Sequence, residues 1–112
     1  MEELLKDLNY IKNTMTSVST GGAMIQDVNE EFKKTYRKVS TELKRLGLKN
    51  PNPYSDLWEW YGKWSSGEMP QYRDRRAYLI EMFKSLFNQI ENHGVDAELE
   101  VELEGWDRIE RS

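Results

Sequence analysis

Tryptophan, tyrosine and arginine are the side chains of this sequence best placed to do chemistry, and they gather in two short segments. Trp58, Trp60 and Trp64, three of the four tryptophans, lie within seven residues, flanked and joined by Tyr54 and Tyr61. Exposed rings of this kind stack on bases or sugars, or anchor a protein interface. Buried rings instead fill a small core where helices diverge, each removing ~200 Å² from water. Both readings stand at the level of sequence. A few residues later, Gln71-Tyr72-Arg73-Asp74-Arg75-Arg76 sets three guanidinium groups together. They could hold a phosphate. Equally, acids of the same chain could neutralise them, the nearest being Asp74, Glu68 and the acidic C-terminal stretch. The candidate binding residues are therefore Trp58, Tyr61, Trp64, Arg73, Arg75 and Arg76, with Trp58 expected to be the most exposed ring because it falls off the main apolar stripe.

Other chemistry is thinly supported. Lys33, Lys34, Arg37, Lys38, Lys44, Arg45 and Lys49 make one side of a helix basic, diluted by Glu30, Glu31 and Glu42. A solvated face is the ordinary account, and RNA or DNA binding the sharper one. Thr20-Gly21-Gly22 precedes a helix, where backbone N–H groups could hold an anion. No Gly-Lys follows at phosphate-loop spacing and no strand precedes it, so a turn is the simpler reading. His93 is the sole histidine, expected at a helix end. With no cysteine, disulfides and thiolate metal sites are excluded. One histidine without cysteine does not make a zinc site, and no nucleophile elbow accompanies it. No carboxylate pair stands out among the many acids. The expectation is a non-catalytic protein with no cofactor and no metal.

The 112 residues suit one domain with a modest core. Apolar residues make up 38 %, charged residues 32 %, and mean hydropathy is −0.85. No apolar run is long enough to cross a bilayer, and Met1–Lys6 lacks a signal-peptide pattern. A cytoplasmic location is expected, with no membrane partner. The net charge of −4 is uneven. Residues 95–112 carry seven acids and two bases, whereas the remainder holds 13 acids and 14 bases. A nearly neutral body gives no broad electrostatic pull toward nucleic acid.

Four helices must position the aromatics and arginines. Leu4, Leu8, Ile11, Met15 and Val18 form one stripe, predicting a helix over 3–17 that the Thr/Ser cluster 14–20 and Gly21-Gly22 end. A longer helix is predicted from about Ala23 or Asp27 to Leu46, on Ile25, Val28, Phe32, Tyr36 (or Thr35), Val39, Leu43 and Leu46. Gly47 should cap it in the left-handed conformation, with Leu48 folding back. The two stripes should pack as an antiparallel pair. Asn50-Pro51-Asn52-Pro53 must be extended. Ser55 is expected to N-cap a short helix over 56–64, whose inner face takes Leu57, Trp60 or Tyr61, and Trp64. Ser65-Ser66-Gly67 should end it, and Pro70 should open a fourth helix over 70–92, with Tyr72, Arg76, Leu79, Ile80, Phe83, Leu86, Phe87 and Ile90 inward. His93-Gly94 reads as its stop. Beyond it, Val95 to Glu104 alternates apolar and acidic residues, which predicts a strand with one wet face. A helical reading aligns Val95, Leu99, Leu103 and Trp106 but leaves Val101 exposed. The expected class is mainly α: a four-helix domain over 1–94 (two long antiparallel helices, a short aromatic helix, a fourth long helix), then an acidic extended arm over 95–112. Gly105–Ser112 reads as the first turn of a further element, so the chain is expected to be part of a longer protein.

Three blocks carry a resemblance: Ser19–Asn29, Asn50–Gly67 with its run Asp-Leu-Trp-Glu-Trp-Tyr-Gly-Lys-Trp, and Pro70–Arg76. Together they resemble the N-terminal module of bacterial proteins whose C-terminal part looks like an abortive-infection domain, and Gly105–Arg111 resembles the start of that next part. The resemblance covers about residues 18–112, and the aromatic block is its specific portion. It implies a cytoplasmic bacterial protein in a phage-defence setting. It brings no catalytic residues, but implies that Tyr54–Gly67 and Arg73, Arg75 and Arg76 form one feature, with Asp56 as an arginine partner. The expected function is a helical interaction or regulatory module acting on protein, either another domain of the same protein or a second copy in a homodimer. The alternative is a nucleic-acid or nucleotide binder using the aromatics and arginines.

Overall fold

Leu4, Leu8, Ile11, Met15 and Val18 are buried along the whole of their stripe, which forms the inner face of α1 (Glu2–Ser19). The structure is a computed structural model that describes the backbone of residues 2–98 and the side chains of residues 2–93. The Thr/Ser cluster does not end α1 where β-branching predicts. The hydroxyls of Thr16, Ser19 and Thr20 donate back to the carbonyls of Lys12, Met15 and Thr16 at 2.7–2.9 Å, satisfying their own polar groups inside the helix. The turn at Gly21, with φ +84°, then releases the chain.

α2 (Ile25–Arg45) returns antiparallel to α1: Lys38 reaches both Glu3 and Asp7 at the opposite helix's start. Its buried line is Ile25, Asn29, Phe32, Thr35, Val39 and Leu43, with Val28, Tyr36 and Leu46 half-buried beside it. Its C-terminus closes as predicted. Gly47 has φ +75°, its N–H donates to the Lys44 carbonyl at 3.0 Å, and Leu48 N–H donates to Leu43 at 2.9 Å. This reciprocal pair satisfies carbonyls that would otherwise lack partners.

The proline segment runs extended from the end of α2 toward the end of α1. Each asparagine accepts a hydrogen bond from the backbone N–H two residues on, Asn50 from Asn52 and Asn52 from Tyr54, both at 3.0 Å. These Asx turns hold the chain where proline leaves it short of donors. Gln89 mimics a strand partner, exchanging two 3.1 Å bonds with the Lys49 backbone. Tyr36 donates to the Asn52 carbonyl, and the amide of buried Asn52 lies 3.4 Å from the Met15 sulfur. The segment thus bridges α2, α1 and the last helix.

α3 (Leu57–Lys63) follows, continued by a wide π-type turn over Trp64–Glu68. Ser65-Ser66-Gly67 therefore lies within that turn, and the helical path ends at Gly67, φ +99°. α4 (Tyr72–Glu98) begins two residues after Pro70. Leu79, Phe83, Leu86 and Ile90 are buried, but Tyr72, Arg76 and Ile80, expected inward, are exposed. Among the described residues the buried seam of α4 runs at steps of 4, 3 and 4, with Tyr78, Met82 and Phe87 half-buried beside it; Ile80 lies off it, 59 % exposed. α4 also runs through His93-Gly94 to Glu98, since one glycine costs a helix only about 1 kcal/mol. The segment expected as strand over 95–104 therefore begins in helix. Its remainder, with Gly105–Ser112, lies outside the described residues. Among the described residues the fold is four helices without a strand, in one core shared by all of them.

Candidate functional site

Asp56, rather than Ser55, caps α3: its carboxylate accepts from Trp58 N–H at 2.8 Å. Ser55 is displaced one position outward, where its N–H and hydroxyl meet Glu59 at 3.2 and 3.4 Å. Buried Asn29 of α2 locks the cap. Its amide donates to Asp56 at 3.2 Å and its carbonyl oxygen accepts from Leu57 N–H at 2.9 Å. The sequence carried a trace of this role: Asn29 is the polar residue on the buried line of α2, between Ile25 and Phe32. Asp56 is thereby engaged by amides, and among the described residues it pairs with no arginine.

Trp60 decides which way α3 faces. It is fully buried, and its indole N–H donates to the Met15 carbonyl at 2.9 Å. Tyr78 stacks on it at 5.6 Å between centroids and 17° between planes, and Tyr54 tilts against it at 5.5 Å. The Tyr54 and Tyr78 hydroxyls pair at 3.1 Å. Burial, then this hydrogen bond, push the Tyr54 phenol well above its ordinary range. With Leu57 and Trp60 turned inward, a 100° step per residue carries Trp58 to the far side of α3 and leaves Tyr61 on its flank, one turn after Leu57. They are 51 % and 42 % exposed.

The exposed rings form a ladder. Trp58 meets Tyr61 edge-on at 5.7 Å, and Tyr61 meets half-buried Trp64 edge-on at 4.9 Å. Beyond Trp64 lies the Arg75 guanidinium, 4.1 Å from the indole centroid and 5.4 Å from the ring of Tyr72. Tyr72, 49 % exposed, ends the row above the Gly21 turn, where a Cβ would come within 3.1 Å of its hydroxyl.

Arg75 is a structural cation. Nε donates to the Met69 carbonyl at 2.9 Å, Nη1 to Ser19 at 2.8 Å and Nη2 to Pro70 at 3.3 Å. Ser19 ends α1, a helix without a basic residue in its last turn. Arg75 supplies the positive charge that this C-terminus favours, which offsets its own place at the start of α4. Of the three arginines, only Arg75 joins the aromatic row. Arg73 and Arg76 are exposed on α4, and among the described residues neither forms an ion pair. Glu68, expected to neutralise an arginine, pairs instead with Lys63 at 2.7 Å. Trp58, Tyr61, Trp64 and Arg75 are thus one feature, and Arg73 and Arg76 another. Tyr72 was not foreseen in it because its spacing places it on the apolar stripe.

A cleft of about 470 Å³ lies elsewhere, between the start of α1 and the end of α2. In its lining Lys38 answers Glu3 and Asp7, Glu42 pairs with Arg45 outside it, and Arg37 forms no ion pair among the described residues. Among the described residues, no three of His, Cys, Asp and Glu gather as a metal site would require, and no helix is long and apolar enough to cross a membrane. No family model, curated protein or solved structure matches this chain.

Proposed function

We propose that this chain is a non-catalytic, protein-binding helical module whose contact surface is the aromatic row Trp58–Tyr61–Trp64. One observation carries the reading: Trp58 and Tyr61 stand half-exposed on a helix whose other aromatic, Trp60, is fully buried and hydrogen-bonded. The core has therefore already received its filler, and the outer rings are surplus to it. Partly exposed Trp and Tyr held in place by edge contacts are typical interface anchors. The resemblance drawn from the aromatic block extends the proposal to a regulatory part of a larger cytoplasmic bacterial protein in a phage-defence setting.

Nucleic-acid or nucleotide binding is the weaker alternative. The guanidinium nearest the rings already donates to three carbonyls, and Lys63 beside them is paired with Glu68. A backbone-tracking groove needs free cations along its rings. Only Arg73 and Arg76 keep the alternative open, and among the described residues neither lies over an aromatic ring.

A photo-crosslinking benzoyl-phenylalanine at position 58 tests the reading, with position 34 on the outer side of α2 for comparison. The expected result is a protein adduct from position 58 only, lost when Tyr61→Ala is added. Nuclease-sensitive adducts, or equal adducts from both positions, would overturn it.

A further inference from the structure

Ile80 is the most exposed large apolar side chain among the described residues, at 59 %. The charges around it have one sign. Arg76 lies one turn before it, Lys84 one turn after it and Arg73 two turns before it, so the four share a face of α4. All are exposed, and among the described residues none of the three cations forms an ion pair. The acids nearest in sequence, Asp74 and Glu81, line a groove with Pro51 and Tyr78 on the other flank of the helix. The next acid on the face itself is Glu91, two turns beyond Lys84. Arg73 stands in the first turn of α4 and Arg76 just after it, where the helix dipole disfavours positive charge. Ile80 alone would be ordinary surface. Ringed by unpaired cations, it matches an occupant that carries both carboxylates and apolar groups.

We propose that this face is covered by the chain's own acidic stretch beyond Glu98, which folds back along α4, sets carboxylates beside Lys84 and Arg76, and lays apolar side chains on Ile80. The inference is independent of the aromatic row. Three observations favour this occupant. Its composition fits, since Leu99, Val101 and Leu103 alternate with Glu100, Glu102 and Glu104, and Trp106-Asp107 follows. Its charge fits, since residues 95–112 carry seven acids and two bases, whereas the remainder holds 13 acids and 14 bases. Its reach fits as well. From Glu98 back to Ile80 the helix spans ~27 Å, and an extended chain from Glu98 to Trp106 spans ~26–29 Å. The other basic line, Lys34, Arg37 and Lys44 on α2, also lacks ion pairs among the described residues, but no large apolar side chain is exposed on that helix. Exposed ion pairs are individually weak and screened by salt. An attached segment, however, acts at millimolar effective concentration. The contact is therefore a reversible latch, closed at low ionic strength and opened by salt. While closed, it shields Arg76 and Lys84 from other anions.

The chain has no cysteine, so Ser112→Cys carries a single nitroxide, and amide signals of the whole chain report its position. At about 20 mM salt, the signals of Arg76 and Ile80 should be attenuated about twofold more than in the charge-reversed variant Glu102→Lys/Glu104→Lys. The excess should persist on dilution and disappear in about 1 M salt, where screening extends only ~3 Å. Arg76→Glu/Lys84→Glu should also abolish it, with the circular dichroism spectrum unchanged. Combining the two reversals should restore it, which no loss of folding could do. Equal attenuation in the wild type and the reversed segment, attenuation strongest at Arg37 and Lys44, or failure of the combined variant to restore the excess overturns the latch. An excess that vanishes on dilution assigns the segment to a second copy and overturns it too.

Discussion

Arg75 illustrates how one side chain can be consumed by the fold that displays it. Its neighbours Arg73 and Arg76 have the same chemistry but lack its acceptors, because the carbonyls of Ser19, Met69 and Pro70 converge on one point only. A single charge-assisted hydrogen bond contributes ~1.5–3 kcal/mol where its partner would otherwise be left unpaired, and a cation over a Trp face adds about 0.5–1 kcal/mol. Partial exposure of Arg75 places the sum toward the lower end. Arg75→Ala should therefore lower stability by about 2 kcal/mol in urea unfolding, whereas Arg73→Ala and Arg76→Ala should stay within about 0.5 kcal/mol of the wild type. Arg75→Lys should recover little, because a single ammonium cannot reach three divergent carbonyls. Equal losses at all three positions would contradict the assignment of Arg75 as the cation that closes α1.

At the scale of elements, the joint that matters is the entry to α3. Asn29 and Asp56 share a hydrogen bond and divide the first N–H groups of the helix between them, Leu57 for one and Trp58 for the other. Loss of an N-cap costs ~1 kcal/mol, and stranding buried donors costs ~1–3 kcal/mol. Asn29→Ala and Asp56→Ala should each destabilise by about 1–2 kcal/mol, and the double variant by less than their sum, with a coupling of at least 0.5 kcal/mol. Strict additivity in denaturant melts would show that the two caps act independently. This joint also marks how far the sequence was readable. The stripes of α1 and α2, the Gly47 closure and the extended proline segment follow from periodicity and backbone chemistry local to each element. The exposure of Trp58 was legible for the same reason, since it falls off the stripe. What sets the rest is remote. The acceptors of Arg75 lie at positions 19, 69 and 70, the indole of Trp60 finds its carbonyl at Met15, and Asn29 displaces Ser55 from the cap by reaching Leu57 from another helix. Ile80 and Tyr72 defeated the periodic reading of α4 because a stripe wider than one seam has no internal sign of which flank is covered.

For the whole molecule, the tyrosines that tie the extended segment to the helices make stability sensitive to alkali. Tyr54 is partly buried against Tyr78, and Tyr36 beneath the Asn52 carbonyl; burial is the leading cause that raises both phenols above their ordinary value near 10. A group whose folded pKa is raised contributes stability that is fully present below its unfolded pKa and is lost as pH rises through the folded value. Above about pH 10 the unfolded chain releases these protons while the folded chain keeps them, so unfolding is favoured progressively. Lys38 and Lys63 shift in the same direction through their hydrogen bonds to Glu3 and Glu68, but exposed ion pairs contribute little to stability. The urea midpoint should therefore hold steady from about pH 7 to about pH 9 and fall steeply between about pH 10 and about pH 11.5. Tyr54→Phe isolates the cause. It should lower stability at pH 7 by ~1 kcal/mol, because the Tyr78 hydroxyl loses its partner, yet flatten the alkaline decline, since the phenol that resists ionisation is gone. A decline of unchanged slope in both Tyr54→Phe and Tyr36→Phe would place the alkaline sensitivity on the lysines. The extended segment would then be held by packing and by its asparagine and Gln89 hydrogen bonds, not by hydroxyls that must remain protonated.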